Sequence, residues 1–328
     1  SAAFHGTYVA GIAAAASNNS AGVAGITWGS RVMPLQALDD NGNGYTDEVA
    51  DAITYAVANG ATVINLSLGS SYNDPYLRSV IDSAIDQGVT VVVAAGNDGC
   101  DCMTYPANYP EVIAVGASNQ NDERASFSSY GANLDLVAPG AGGICSTSWT
   151  SLNPSAYSCS GQGTSFATPM VSGVAALLAS RRPDATPADI EGYLKSGADK
   201  VSGMAGALIT SQYGYGRLDL LSALYQTARP VQLGPGTKQD GGTLSLTSGS
   251  RGLITVCTSM VGGCGLRLYG PNDVIITLPF KVSETWGSST FFLDIETLGL
   301  TPGDWQIEAT TQWDSSAGLP RATFTVEP

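Results

Sequence analysis

Short runs rich in Val, Ile and Leu recur through the first part of the chain, at Val32–Leu38, Val63–Leu68, Val89–Ala95, Val112–Val115 and Leu134–Val137. These runs are apolar on both faces, so each has to be covered on both sides. Helical patterns stand between them, as at Thr46–Asn59 and Pro75–Gln87. Buried strands separated by helices predict an α/β fold built on a mostly parallel, doubly wound sheet. A long apolar helix is predicted after Thr164, and a shorter one from Pro187 with Thr186 as its N-cap.

The pattern changes near Ala228-Arg-Pro230. Beyond it come short alternating strands such as Leu244-Ser-Leu-Thr, Leu253-Ile-Thr-Val and Ala322-Thr-Phe-Thr-Val, with Gly, Pro and Asp turns between them. This predicts two domains, an α/β domain over 1–228 and a small Ig-like β-sandwich over 229–328. Trp286, Trp305 and Trp313 are expected in the core of the second, since aromatics at strand positions pack inward.

Charge narrows the function classes. The chain carries 14 basic and 28 acidic residues, a net charge of -14, so there is no basic footprint for nucleic acid. The acidity is concentrated in 1–228, with 19 acidic against 8 basic residues. No apolar run reaches the roughly 18 residues of a membrane-spanning helix. An even set of six cysteines in an acidic, Lys-poor chain suggests an oxidising compartment. Cys145 with Cys159 and Cys257 with Cys264 each flank a plausible hairpin. Cys100 and Cys102 are left over, because a bond between them closes a very small ring. Zinc is disfavoured, with one histidine in the chain and no CxxC.

That one histidine, His5, opens an Ala-rich helical run. Far downstream, Ser165 follows a glycine turn and opens an apolar helix, where the positive end of the helix favours a developing anion. Asn97 ends an apolar strand, where its amide can donate to an oxyanion. In a doubly wound sheet such loop positions gather at the ligand-binding edge. Each feature alone reads as a structural His, a turn Ser or a capping Asn. Together they point to nucleophilic catalysis.

The blocks His5-Gly-Thr-x-Val-Ala-Gly, Ser67-Leu-Gly69, Ala94-Ala-Gly-Asn97 and Gly163-Thr-Ser-Phe-Ala-Thr-Pro169 resemble, in order, those of the subtilisin-like serine proteases. Tyr105-Pro-Ala-Asn-Tyr-Pro110, Ser126-Phe-Ser-Ser-Tyr-Gly131 and Val137-Ala-Pro-Gly140 resemble the thermitase-like branch. The resemblance covers about residues 1–226. It implies that Ser165 is the nucleophile, His5 the general base, and Asn97 with the Ser165 amide the oxyanion hole. It also implies that Gly42, Asn43 and Gly44 on one side, and Ser67, Leu68 and Gly69 on the other, clasp an extended peptide by backbone pairing. The primary pocket would lie between Ser67–Gly69 and Ala94, Ala95 and Gly96. Thr104 would stand near its floor and make it shallow.

Several features depart from the family. Its triad Asp lies in a strand well before the His, and only four residues precede His5. The expectation is therefore a chain truncated at its N-terminus, with the Asp and any propeptide encoded upstream, and a fragment that is weak or inactive alone. In the family, losing that Asp costs about 3 × 10⁴ in turnover. Tyr8 stands where the family often has His, and Phe166 replaces the common Met beside the nucleophile.

Ser17-Asn-Asn-Ser-Ala-Gly-Val23 resembles the family's calcium loop, with oxygen ligands from Ser17, Asn19, Ala21 and Val23. The run Asp39-Asp-Asn-Gly-Asn-Gly44 is not an EF-hand loop, because Ala50 occupies the closing Glu position. The reading is a secreted or cell-surface, monomeric, calcium-stabilised endopeptidase acting on polypeptides. The competing reading is a non-catalytic relative serving peptide binding or adhesion.

Overall fold

A computed structural model describes residues 4–149 and 156–225, and the backbone of the strands between 231 and 326. The chain divides into two compact units, Ser1–Leu224 and Tyr225–Pro328.

In the first unit β1 (Val63–Leu66), β2 (Thr90–Ala94), β3 (Ile113–Ser118) and β4 (Leu136–Pro139) form a sheet in the order β1-β2-β3-β4. All three pairings are parallel. Each β2 residue is buried, as expected of a strand covered on both faces. Val91 and Val93 enter a core with Val49 and Ile53 of α2 (Thr46–Ala58) and Leu77 and Ile81 of α3 (Pro75–Asp86). Val92 enters a second core with Val171, Val174 and Leu178 of α4 (Thr164–Arg181) and Ile190 and Leu194 of α5 (Pro187–Gly197). The parallel, doubly wound α/β sheet predicted from the apolar runs is therefore present.

Helix starts follow local chemistry. The Asp74 carboxylate accepts from the Tyr76 and Leu77 amides at 2.9 and 3.4 Å, with Pro75 in the first turn of α3. Thr186 and Asp189 form a capping box at α5, which bears out the predicted N-cap. A helix α1 (His5–Ala14) precedes the sheet, and β5 (Ile144–Ser148) pairs antiparallel with β6 (Ala156–Gly161) as a hairpin. A short helix, α6 (Leu220–Tyr225), follows α5.

One predicted strand does not form. Residues 31–37 carry no strand, and Val32, Met33 and Leu35 are 49%, 39% and 38% exposed. An apolar run becomes a strand only where a neighbour completes its hydrogen bonds, and no described strand lies beside β1 on its outer side. The disulfides also differ in one respect. Cys145–Cys159 closes the β5–β6 hairpin as predicted, but Cys100 and Cys102 are bonded to each other rather than left over. The intervening turn brings their Cα atoms to 5.2 Å, within ordinary disulfide reach.

A buried ion cluster ties α5 to the sheet. Lys195, 1% exposed, places Nζ 2.5 Å from Asp135 Oδ1 and also binds Glu191. Asp135 Oδ2 accepts from the Ala114 amide of β3 at 2.7 Å. Burial alone would lower the Lys195 pKa, but Asp135 and then Glu191 hold it well above the ordinary value, so the side chain is charged.

In the second unit the described strands are β7 (Val231–Leu233), β8 (Ser245–Leu246), β9 (Arg251–Thr258), β10 (Cys264–Tyr269), β11 (Ile275–Lys281), β12 (Gly287–Asp294), β13 (Gly303–Thr311) and β14 (Arg321–Val326). They form a five-stranded sheet, β11-β10-β13-β14-β8, and a three-stranded sheet, β12-β9-β7. The predicted runs at Leu253–Val256 and Ala322–Val326 fall within β9 and β14. The side chains of Cys257, Cys264, Trp286, Trp305 and Trp313 lie outside the described residues.

Substituting Lys195→Met leaves Asp135 buried without its cation, and is expected to cost about 3–5 kcal/mol. Urea denaturation at neutral pH measures this. A loss below about 1 kcal/mol would place the cluster among weak surface pairs.

Candidate active site

The junction of β2 with α4 brings Asn97 and Ser165 together. Gly163, with φ 146°, forms the N-cap of α4 in a region that favours glycine. Thr164 then donates its amide to Asn97 Oδ1 at 2.9 Å, and its one hydroxyl proton is shared between the same oxygen at 3.1 Å and the Gly96 carbonyl at 3.3 Å. The Gly96 amide donates back to Thr164 Oγ1 at 3.3 Å. With Oδ1 held in this way, the Asn97 amide nitrogen is left to point elsewhere, and it has no acceptor among the described residues. The Ser165 amide, in the first turn of α4, likewise has none, as the first donors of a helix do. The Asn97 side chain is thus bound to the first turn of α4, the positive end of the helix, where Ser165 also stands.

Ser165 is half-buried, and its hydroxyl donates weakly to the Ser67 carbonyl at 3.4 Å. Ser67 returns its own hydroxyl to the Ser165 carbonyl at 2.9 Å. These bonds fix the end of β1 against α4. Ser67 thus meets Ser165 from the end of β1, and Gly96 meets Thr164 from the end of β2.

His5 is the first residue of α1. Its ring lies 5.7 Å, centroid to centroid, from Phe166, the residue after the serine. Among the described residues no hydrogen bond joins His5 to Ser165, and no carboxylate pairs with His5. Catalytic hydrogen bonds are often loose before substrate binds. Burial lowers the His5 pKa from its ordinary 6.5.

Thr104 stands between the two walls. Its amide donates to the Ala95 carbonyl at 3.1 Å, and its Oγ1 lies 2.3 Å from where a Cβ on residue 69 would stand. Its methyl lies 3.1 Å from the equivalent point on Gly96. The threonine side chain thus occupies space that the two glycines leave between the walls. The Ser70 and Tyr105 amides and carbonyls pair at 2.8 Å in both directions, which holds Thr104 in place.

Gly42, Asn43 and Gly44 form an exposed turn before α2, closed by Asn43 and Asn41 amides donating to Asp39 Oδ1 at 2.8 and 2.9 Å. A Thr46–Asp74 hydrogen bond links this turn to the segment before α3. The loop holding Ser17, Asn19, Ala21 and Val23 lies beyond the far end of α1, about 15 Å of helix from His5. Calcium takes six to eight oxygens, with carboxylates among them. This loop contains no carboxylate, and Asn19 Oδ1 already accepts from the Ala21 amide at 3.1 Å. Among the described residues no group of three or more His, Cys, Asp or Glu is placed to hold a metal. The loop's own donors therefore do not fit calcium unaided.

Sequence reasoning gave no role to Thr164, although it lies inside the motif around Ser165. A hydroxyl between a helix cap and an Asn-bearing strand end was the available signal. Tyr8 and Phe166 were noticed only as departures from a family pattern.

Residues 1–216 match the Subtilase family. The chain is 44% identical over 220 residues to the thermophilic serine proteinase of Bacillus sp. (strain AK1), covering 67% of this chain and 52% of that protein. It is 44% identical over 200 residues to thermitase of Thermoactinomyces vulgaris, covering 61% and 68%. The chain thus spans about half the length of the first of these relatives. Among solved structures, proteases from Pseudoalteromonas arctica PAMC 21717 superpose with a TM-score of 0.61 at 38% identity, covering 67% of this chain and 70% of theirs.

A folded-state pKa below the unfolded one means that protonation favours unfolding. The His5 contribution is therefore intact above pH 6.5 and is lost as pH falls through that value towards the folded-state pKa. Because His5 is the chain's one histidine, a single imidazole resonance reports it in NMR. Titration below 6.5 is expected, and a midpoint at or above 6.5 would contradict a half-buried imidazole without a carboxylate partner.

Proposed function

The chain belongs to the subtilase family, and on that basis we propose that it is the catalytic part of a secreted serine endopeptidase acting on polypeptides. The Ser165 hydroxyl attacks the scissile carbonyl while His5 takes its proton. The carbonyl oxygen becomes an anion held by the Asn97 side-chain amide and the Ser165 backbone amide. His5 then passes its proton to the leaving amine, and water repeats the sequence on the acyl-enzyme. The observation that carries this reading is the Asn97 side chain, whose oxygen is bound by Thr164, the residue before Ser165, and whose nitrogen has no acceptor among the described residues.

A carboxylate is required to hold the His5 tautomer and to stabilise the imidazolium. No described residue supplies it, so the proposal assigns it to sequence outside these 328 residues. The extended substrate backbone pairs with Gly42–Gly44 and Ser67–Gly69, which makes side chains secondary except at the primary pocket. Calcium binding by Ser17, Asn19, Ala21 and Val23 requires a further acidic donor, and no step of the reaction depends on it. The β-strands beyond residue 228 are read as an accessory β-sandwich without catalytic groups. No helix among the described residues is long and apolar enough to cross a membrane.

A fluorophosphonate should label Ser165 in the protein carrying its natural flanking sequence, and Ser165→Ala should abolish labelling. Asn97→Ala should lower kcat about 10²- to 10³-fold with little change in KM. Absence of labelling would instead support the non-catalytic peptide-binding reading. The 328 residues alone should turn over casein about 10⁴-fold more slowly than that longer protein, and equal turnover would remove the missing carboxylate from the account.

Thr104→Gly should deepen the primary pocket. Peptide anilides ending in Phe or Tyr should gain about tenfold or more in kcat/KM relative to those ending in Ala. An unchanged ratio would show that Thr104 does not limit the pocket.

A further inference from the structure

We propose that Tyr8 is a positioning residue for His5, tying the helix that carries the imidazole to the disulfide-closed β5–β6 hairpin. This rests on the serine-protease reading above and extends it to the device that places the general base.

His5 begins α1, so its position depends on what holds the first turns of that helix. Tyr8, one turn on, is 1% exposed. Its hydroxyl faces the hairpin from within. It accepts from the Gly161 amide at 3.0 Å and is placed to donate to the Ser158 carbonyl at 2.7 Å and to the Ile144 carbonyl. A phenol has one proton, so the two carbonyls share it. The phenol therefore contacts both strands of the hairpin at once.

The hairpin answers from its own side. Ser146 donates to the Tyr8 carbonyl at 2.6 Å, and Thr147 to the Thr7 carbonyl at 2.8 Å. Residue 11 must be glycine for this approach, since a Cβ there would stand 2.0 Å from Thr147 Oγ1. The Cys145–Cys159 bond closes the same hairpin across its strands. The ring of Tyr8 completes the arrangement. It meets Phe166 edge-on at 4.9 Å, and Phe166 in turn lies against His5. One side chain thus fixes the His5 helix to the hairpin and packs against the residue that follows Ser165.

The tyrosine makes the placement of His5 depend on the hairpin.

The test reads the single imidazole in the 328-residue chain and fluorophosphonate labelling in the protein carrying its natural flanking sequence. Tyr8→Phe keeps the ring and removes the hydroxyl. Ser146→Ala cuts the tie from the other side and is the milder variant should Tyr8→Phe fold poorly. Both should move the His5 NMR titration up towards 6.5 and slow fluorophosphonate labelling of Ser165 at least tenfold, the second variant by less than the first. Ile190→Val, in the other core, should lower Tm without moving the His5 titration. If Tyr8→Phe and Ser146→Ala lower Tm while the titration stays where it was, Tyr8 is a structural residue only and the proposal fails. If the unsubstituted protein carrying its natural flanking sequence does not label at all, the protease reading fails, and that result is separate from the titration.

Discussion

The hydrogen bonds between Thr164 and Asn97 are the constraint on which the site depends. They join the end of a central strand to the start of the long apolar helix, two elements some 67 residues apart in the chain. Without them Asn97 would be an exposed amide on a glycine turn, free to rotate. With Oδ1 bound to Thr164, the side-chain amide is held in one orientation before any substrate arrives. Preorganised donors of this kind are where electrostatic catalysis gains most, because no reorganisation is needed when the charge appears.

The rest of the unit supports that junction. Gly163 supplies a backbone conformation that a residue with a side chain would occupy only under strain. Ser67 and Ser165 exchange hydrogen bonds and bring the end of β1 to the same place. Buried on both faces, β2 cannot shift without disturbing two cores. Lys195 and Asp135 clamp α5, which shares a core with α4, to β3 through the Ala114 amide. The proposed catalytic groups stand at the ends of rigid elements, while Gly42, Asn43 and Gly44 form an exposed turn.

Much of this was legible in the sequence. Apolar runs without alternation forecast a sheet covered on both faces, and Thr186 with Pro187 forecast the start of α5. The spacing of Cys145 and Cys159 forecast their hairpin. What the sequence did not disclose was pairing. The run Val32–Leu38 has the composition of a strand, but a strand also needs a neighbour, and composition carries no information about one. The Cys100–Cys102 bond depends on a local turn that residue types do not specify. Thr164 and Tyr8 act through partners some 67 and more than 130 residues away. Their roles follow from three-dimensional placement, which a linear reading does not contain.

The central claim is that Ser165, His5 and the Asn97 amide form one site. A crystal structure of the protein after reaction with a peptidyl phosphonate tests it most directly. The phosphorus should be bonded to Ser165 Oγ, with one phosphonyl oxygen within hydrogen-bond distance of Asn97 Nδ2 and the Ser165 amide and the His5 imidazole facing the bonded oxygen. An adduct on another residue, or a phosphonyl oxygen turned away from Asn97 towards solvent, would contradict it.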